Sequence, residues 1–307
     1  MLKGCCTALI TPFNKDGSLN LITLERHIKR QINEEVSGIL ACGTTGEAPA
    51  LNYSEWKDVV RTAVKFKSKN VYVIAGTGTN NTEKTIERTK EAKKLGADMA
   101  LVITPYYNKP NQSGLFLHFK KVAKEGGMDI IIYNVPSRTG VNMLPETVAE
   151  LSQIKNIIGI KEASGSIQQA TEIIMKSKKG FILMSGEDAL TLPLMSIGAR
   201  GVISTISNVV PKEMQALFEL YFVNENEEAR KMHDHLYPIA KTLFIETNPV
   251  PVKYAMKYIN MDTGILRLPL GELSDKNKIE VERVLMEFNK ESFYGKDTYS
   301  KNHRKEL

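Results

Sequence analysis

Several things are missing from this chain, and each absence removes a class of protein. No apolar run approaches the roughly 18 residues that suggest a membrane span. The N-terminal stretch "MLKGCCTALITPF" carries one lysine and passes straight into a strand-like run with no small-residue cleavage site. We read no signal peptide there and expect a cytoplasmic protein. Cysteine is scarce: Cys5, Cys6 and Cys42 only, with no C-x-x-C. That excludes a zinc ribbon and a thioredoxin-type motif and leaves free thiols packed on strands as the expectation. There is no G-x-x-x-x-G-K to cradle a phosphate. The turn "GTGTNN" lacks the third glycine of a dinucleotide fingerprint and follows the third strand candidate, not the first. The histidines are His27, His118, His233, His235 and His303. None stands at a predicted strand end. His233 and His235 lie two apart on a predicted helix and so do not share a face. Neither a metal nor a separate cofactor is expected.

The net charge of +6 raises a nucleic-acid reading. Its basic residues, however, are mixed with Glu along helical stretches such as "ERTKEAKKLG", the pattern of a solvated helix face. Basic runs without interleaved aromatics or a known module do not argue for nucleic acid. A mildly positive field suits small anionic substrates.

What the chain does have is a beat. Eight β-branched apolar runs, "GCCTALITPF", "SGILACGTTG", "NVYVIAGTGT", "ADMALVITPYY", "MDIIIYNVPS", "NIIGIKEASG", "GFILMSGED" and "RGVISTISN", alternate with amphipathic helical stretches. "NTEKTIERTKEAKKLG" opens on Asn/Thr capping candidates and closes on Gly96. Alternation of this kind implies parallel βα units, and eight of them close a (β/α)8 TIM barrel. A doubly wound open sheet is the structural alternative. After residue 224 the strands stop, and three helical stretches follow, "NENEEARKMHDHLYPIAKTLFIE", "NPVPVKYAMKYINM" and "LSDKNKIEVERVLMEFNKES". We therefore expect an α/β barrel over 1–224, a C-terminal three-helix extension over 225–293, and a polar tail over 294–307.

In such barrels chemistry sits at the C-terminal ends of the strands. There the chain places Thr44 and Thr45, Tyr106 and Tyr107, Tyr133 followed by Arg138, Lys161, Gly186 and Ile203. Lys161 alone could be a strand-end lysine reaching water, or an amine in a dry pocket acting as a nucleophile. Strict alternation puts Ile157, Gly159 and Lys161 on one face of "IIGIKEAS", with Ile158 and Ile160 on the other, and it pairs Ile131 with Tyr133. If those faces line the barrel, a tyrosine and a lysine meet at its mouth. A neutral amine there attacks a carbonyl, and the tyrosine moves protons to and from the carbinolamine. A phenol with a pKa near ~10 needs help, which hydroxyls of Thr44 and Tyr107 would give. Arg138 suits a carboxylate, which its planar fork grips at two points. From the residues alone the reading stops at a Lys–Tyr barrel acting on an anionic carbonyl compound.

Four segments in order, "GTTGE" (43–47), "YYNKP" (106–110), "YNVPSRTG" (133–140) and "KEASG" (161–165), resemble the dihydrodipicolinate synthase family of pyruvate-dependent, Schiff-base lyases. The resemblance runs from about residue 2 to about residue 293. It implies condensation of pyruvate with L-aspartate 4-semialdehyde on the way to lysine and diaminopimelate. It also implies Lys161 as the Schiff-base residue, Tyr133 as proton shuttle, and Thr44 and Tyr107 as the rest of the relay. Tyr107 would reach across a tight dimer interface into the neighbour's site. Thr45 would hold the pyruvate carboxylate, with Gly186 and the backbone of Ile203 nearby, and Arg138 would hold the carboxylate of the aldehyde. The assembly implied is a homotetramer, a dimer of tight dimers. Sugar-acid aldolases of the N-acetylneuraminate lyase type share the lysine and tyrosine. They often read G-S-T-G-E and generally lack the arginine, so the Thr pair and Arg138 favour the synthase. A non-catalytic binding protein of the same descent would be favoured by loss of Lys161 or Tyr133, and both are present. One departure stands out. Lysine-inhibited members commonly carry histidine and glutamate where this chain has Trp56 and Lys84. A like charge at Lys84 repels an incoming ammonium, and we expect no feedback by L-lysine.

Overall fold

The computed structural model describes residues 2–290, so the expected tail over 294–307 and the last residues of the third extension helix lie outside the described residues. Among the described residues there are eight strands: β1 (Gly4–Ala8), β2 (Gly38–Ala41), β3 (Tyr72–Gly76), β4 (Met99–Ile103), β5 (Asp129–Asn134), β6 (Ile157–Glu162), β7 (Ile182–Ser185) and β8 (Gly201–Ser204). Each pairs in parallel with the next, and β8 returns to β1, closing the barrel. The open-sheet alternative is thereby excluded.

The helices in chain order are α1 (Leu21–Asn33), α2 (Tyr53–Lys65), α3 (Thr82–Leu95), α4 (Gln112–Gly126), α5 (Pro136–Thr139) and α6 (Pro145–Ser152). There follow α7 (Ile167–Lys176), α8 (Thr191–Ser196), α9 (Pro211–Phe222), α10 (Asn226–Thr242), α11 (Val250–Tyr258) and α12 (Asp275–Lys290). Their starts follow from capping chemistry. Asn52 and Glu55 form a reciprocal capping box at α2, and Asn81 caps α3. Gly96 ends α3 in the left-handed conformation, at φ +97°, where a Cβ is strained. The extension helices α10 and α11 each pack on α12, and α10 also packs on α9. Among the described residues no helix is long and apolar enough to cross a membrane.

The strands split the apolar residues into two layers. Cys6, Leu40, Ile74, Leu101, Ile131 and Met184 fill the barrel interior. Cys5, Ile39, Val73, Val102, Ile132 and Leu183 belong to the larger core shared with the helices. A parallel sheet buried on both faces needs both sets, which is why its strands read as continuous apolar runs.

One expectation about β6 needs correction. Ile157 does not share a face with Lys161: it packs in the outer core with Ile160, whereas Ile158 packs against the inner cluster. The register explains this. Ile130 pairs with Ile157, but Ile131 pairs with Gly159, so Ile158 is an extra residue in the ladder. A bulge of this kind re-aims the strand beyond it. Past the bulge alternation resumes, and Tyr133 stands directly beside Lys161.

Candidate active site

Lys161 lies next to the last residue of β6 and is only 5% exposed. Its Nζ sits 4.6 Å from the centroid of the Tyr133 ring. Burial pushes the amine down to about 8; Asp188 opposes that, Arg138 adds to it, and Cys6 opposes it again. An amine in that range is neutral in a usable fraction near neutral pH and can attack a carbonyl. Burial pushes the Tyr133 phenol up, opposed by the Arg138 charge and by a hydrogen bond with Thr44.

These groups open into a cavity of about 370 Å³ at the C-terminal ends of the strands. Thr44, Thr45, Tyr133, Arg138, Lys161 and Gly186 all line it. Six of the sequence-derived residues therefore converge. The turn that carries Thr44 and Thr45 is held by close packing on β3. A Cβ on Gly76 would lie 2.1 Å from the Cys42 carbonyl oxygen, so only glycine lets the turn come so near. Cys42 and Glu47, both in the left-handed region, flank the turn. Arg138 stands on the short helix α5, which Pro136 starts directly after β5.

Two expected residues are elsewhere. Ile203 does not line the cavity; its side chain is packed in the barrel interior. Tyr107 is 88% exposed, with φ +73°, and does not enter this chain's cavity. Its neighbour Tyr106 lines a second cavity of about 240 Å³ whose wall shares Thr44, Tyr133 and Arg138 with the first.

Other wall residues were not foreseen. Asn248, between α10 and α11, donates its side-chain N–H to Thr45 Oγ1 at 2.9 Å, and its backbone carbonyl accepts from Arg138 Nη2 at 3.0 Å. Thr205 Oγ1 lies 3.3 Å from the same Thr45 hydroxyl. Asp188, just after β7, accepts from the backbone N–H groups of Thr205 and Ile206 through Oδ2, at 3.0 and 3.3 Å. Lys241 and Phe244 bring the end of α10 into the same wall. The only sequence cues were the acidic pair in "SGED" and the Asn-Pro step opening "NPVPVK". Neither shows where the chain returns in space.

The extension also grips the Thr44–Thr45 turn from outside. Glu47 Oε1 accepts from Lys253 Nζ at 2.6 Å, with both side chains fully buried. Glu47 Oε2 accepts from the backbone N–H of Arg267 at 3.0 Å. Lys253 also donates to the Thr11 carbonyl at 2.9 Å.

A buried lysine of lowered basicity against a tyrosine, at the mouth of an eight-stranded parallel barrel, defines a Schiff-base-forming lyase of the class I aldolase type. A sequence profile of the Dihydrodipicolinate synthetase family matches residues 1–288. The chain belongs to that family. It is 48% identical over 288 residues to the 4-hydroxy-tetrahydrodipicolinate synthase of Geotalea uraniireducens, covering 94% of this chain and 99% of the relative. The solved structure of the 4-hydroxy-tetrahydrodipicolinate synthase from Methylacidiphilum fumariolicum SolV superposes with a TM-score of 0.92 at 42% identity, covering 94% of this chain and 97% of that one. The structure of the Cyanidioschyzon merolae enzyme with lysine bound superposes with a TM-score of 0.89 at 36% identity, covering 94% and 98%.

Proposed function

We propose that this chain condenses pyruvate with L-aspartate 4-semialdehyde to give 4-hydroxy-tetrahydrodipicolinate. The observation that carries this reading is the placement of the buried Lys161 amine against Tyr133 in a cavity that also presents Thr45 and Arg138. The names of the curated relatives support the substrate pair.

In this reading Lys161 attacks the C2 carbonyl of pyruvate. Water leaves and a protonated iminium remains. The iminium draws electrons from the methyl carbon, which loses a proton and attacks the aldehyde. Tyr133 carries protons to and from the reacting oxygens. Its hydrogen bond with Thr44 extends that path, and Tyr107 of a neighbouring copy completes it. The high exposure of Tyr107 fits a residue that waits for a partner. Thr45, positioned by Asn248, holds the pyruvate carboxylate with Gly186 nearby. Arg138 takes the carboxylate of the aldehyde as a two-point contact. Ile203 contributes only its backbone. No cofactor takes part; pyruvate is bound covalently as substrate. Residues 1–224 carry the chemistry, and the described part of the 225–293 extension, up to residue 290, braces the turn and completes the wall.

The assembly proposed is a tetramer built from two tight dimers, working in the cytoplasm as a step of lysine and diaminopimelate biosynthesis. L-lysine does not inhibit it. Trp56 is fully buried and its Nε1 donates to the Gly76 carbonyl at 2.9 Å, so it presents no free imidazole-like group. Lys84, near the start of α3, adds positive charge where inhibition would need negative.

The test is turnover of pyruvate with L-aspartate 4-semialdehyde, coupled to reduction of the product, beside Lys161→Ala. Activity lost in the variant supports the reading. An inactive wild-type protein contradicts the substrate pair, and cleavage of sugar acids would then be assayed.

A further inference from the structure

Asp188 is an anomaly among the buried carboxylates. It is 5% exposed and lines the same cavity as Lys161. One oxygen, Oδ2, is committed to the N–H groups of Thr205 and Ile206. The other, Oδ1, is buried with no hydrogen-bond partner within 3.5 Å, although the Ser204 side chain also helps to hold the carboxyl's pKa down. No salt bridge involves it among the described residues. By contrast, buried Glu47 has both Lys253 and a backbone N–H, and buried Glu162 accepts from Asn134 and from the Ser164 N–H. A buried carboxylate oxygen left open is costly unless a positive charge arrives.

We propose that Asp188 is the counter-charge for the positive nitrogen that forms when Lys161 condenses with a keto acid. The inference rests on the Schiff-base reading given above. The step balances simply: the neutral Lys161 amine, the substrate carbonyl and one proton give a protonated iminium and one water. Starting from the reactive neutral amine, that leaves a positive charge covalently fixed in a dry cavity. Asp188 is held by its other oxygen, at the backbone turn after β8, so it needs no reorganisation when the charge appears. The two groups already sense each other, since the Asp188 charge opposes the loss of basicity at Lys161. The other titratable or charged groups around the amine are Tyr133 from β5, Arg138 from α5 and Cys6 from β1. Glu187 and, from α10, Lys241 share the cavity wall. Arg138 and Lys241 are cations, and neither Tyr133 nor Cys6 is ionised at neutral pH, their pKa values being raised by burial. Glu187 is half-buried, and its carboxyl is pushed up by burial and by Asp188. Among these groups Asp188 is the fully buried carboxylate; burial pushes its pKa up, opposed by the Ser204 side chain, by the Thr205 and Ile206 N–H groups and by the Lys161 charge.

The experiment uses Asp188→Asn in the full chain. The variant keeps an oxygen for the Thr205 and Ile206 N–H groups, removes the charge and turns the open oxygen into an amide NH2. Borohydride trapping of the pyruvate adduct is followed against pyruvate concentration and pH. Loss of the anion makes the amine less basic, so the acid limb of trapping moves to lower pH. The iminium becomes less stable, so the pyruvate needed for half-maximal trapping rises roughly 10-fold or more. A limb that stays in place would overturn the proposal, whatever happens to turnover or melting temperature, because a merely structural role does not move it. Asp188→Ser, which also lacks the charge, gives the same reading should the Asn variant not fold. Failure of wild-type protein to trap pyruvate would instead refute the Schiff base itself, so the two failures are distinct.

Discussion

Asn248 and Thr45 stand 203 positions apart in the chain, yet the Asn248 side-chain amide donates directly to the Thr45 hydroxyl. The same asparagine accepts from Arg138 through its backbone carbonyl. One residue of the helical extension thus steadies two of the barrel's substrate contacts. Asn248→Ala should remove the Thr45 contact and spare the backbone contact to Arg138. We expect KM for pyruvate to rise about 10-fold, in line with a loss of 1–2 kcal/mol for a buried hydrogen bond. Circular dichroism should show an intact fold. An unchanged KM would mean that Thr45 needs no such support.

The Glu47–Lys253 pair predicts a stability cycle. Lys253→Met leaves the buried Glu47 carboxylate without its cation and should cost about 3–5 kcal/mol, read as a lowered urea midpoint. Glu47→Gln with Lys253→Met together should recover most of that loss, because neither charge then remains unpaired. A double variant as unstable as the single one would assign the loss to packing against Phe13, whose ring centroid lies 4.2 Å from Lys253 Nζ.

Lys161 should carry a cost in stability that depends on pH. Its folded-state pKa is lowered to about 8 from an unfolded value of 10.5. Below about pH 8 both states hold the proton, and the folded state bears the full penalty of a buried ammonium. Between these values the unfolded state holds more protons, so raising pH favours folding. Lys161→Met should therefore be more stable than the wild type at pH 7, by roughly 1–3 kcal/mol. The gap should close as pH approaches the unfolded value. Chemical denaturation of both proteins at several pH values checks this; a gap that is constant with pH would show that Lys161 is not strained by charge.

Feedback gives a prediction of opposite kind. With pyruvate and the aldehyde near their KM values, millimolar L-lysine should leave the rate unchanged. Lys84→Glu would restore the charge that an incoming ammonium seeks. Inhibition of the wild type by submillimolar lysine would show that Trp56 and Lys84 do not decide the matter.

Much of the scaffold could be read from the chain because its causes are local. β-branched apolar runs made the eight strands, and Asn and Gly caps ended α3 where expected. Lys161 and Tyr133 could be paired from alternation alone, although the argument for Ile157 failed at the bulge, which adds a residue that no pattern marks. Asn248 and Asp188 were illegible for a different reason. Their roles depend on where distant turns meet, and nothing near them in sequence records that meeting. Tyr107 lies beyond the reach of a single chain: its proposed partner belongs to another copy.

The measurement closest to the centre of this account is mass spectrometry of the protein after borohydride reduction in the presence of pyruvate. The account predicts one added pyruvate-derived group, located on the peptide containing Lys161 and missing from Lys161→Ala. An adduct on any other lysine, or none at saturating pyruvate, would contradict it.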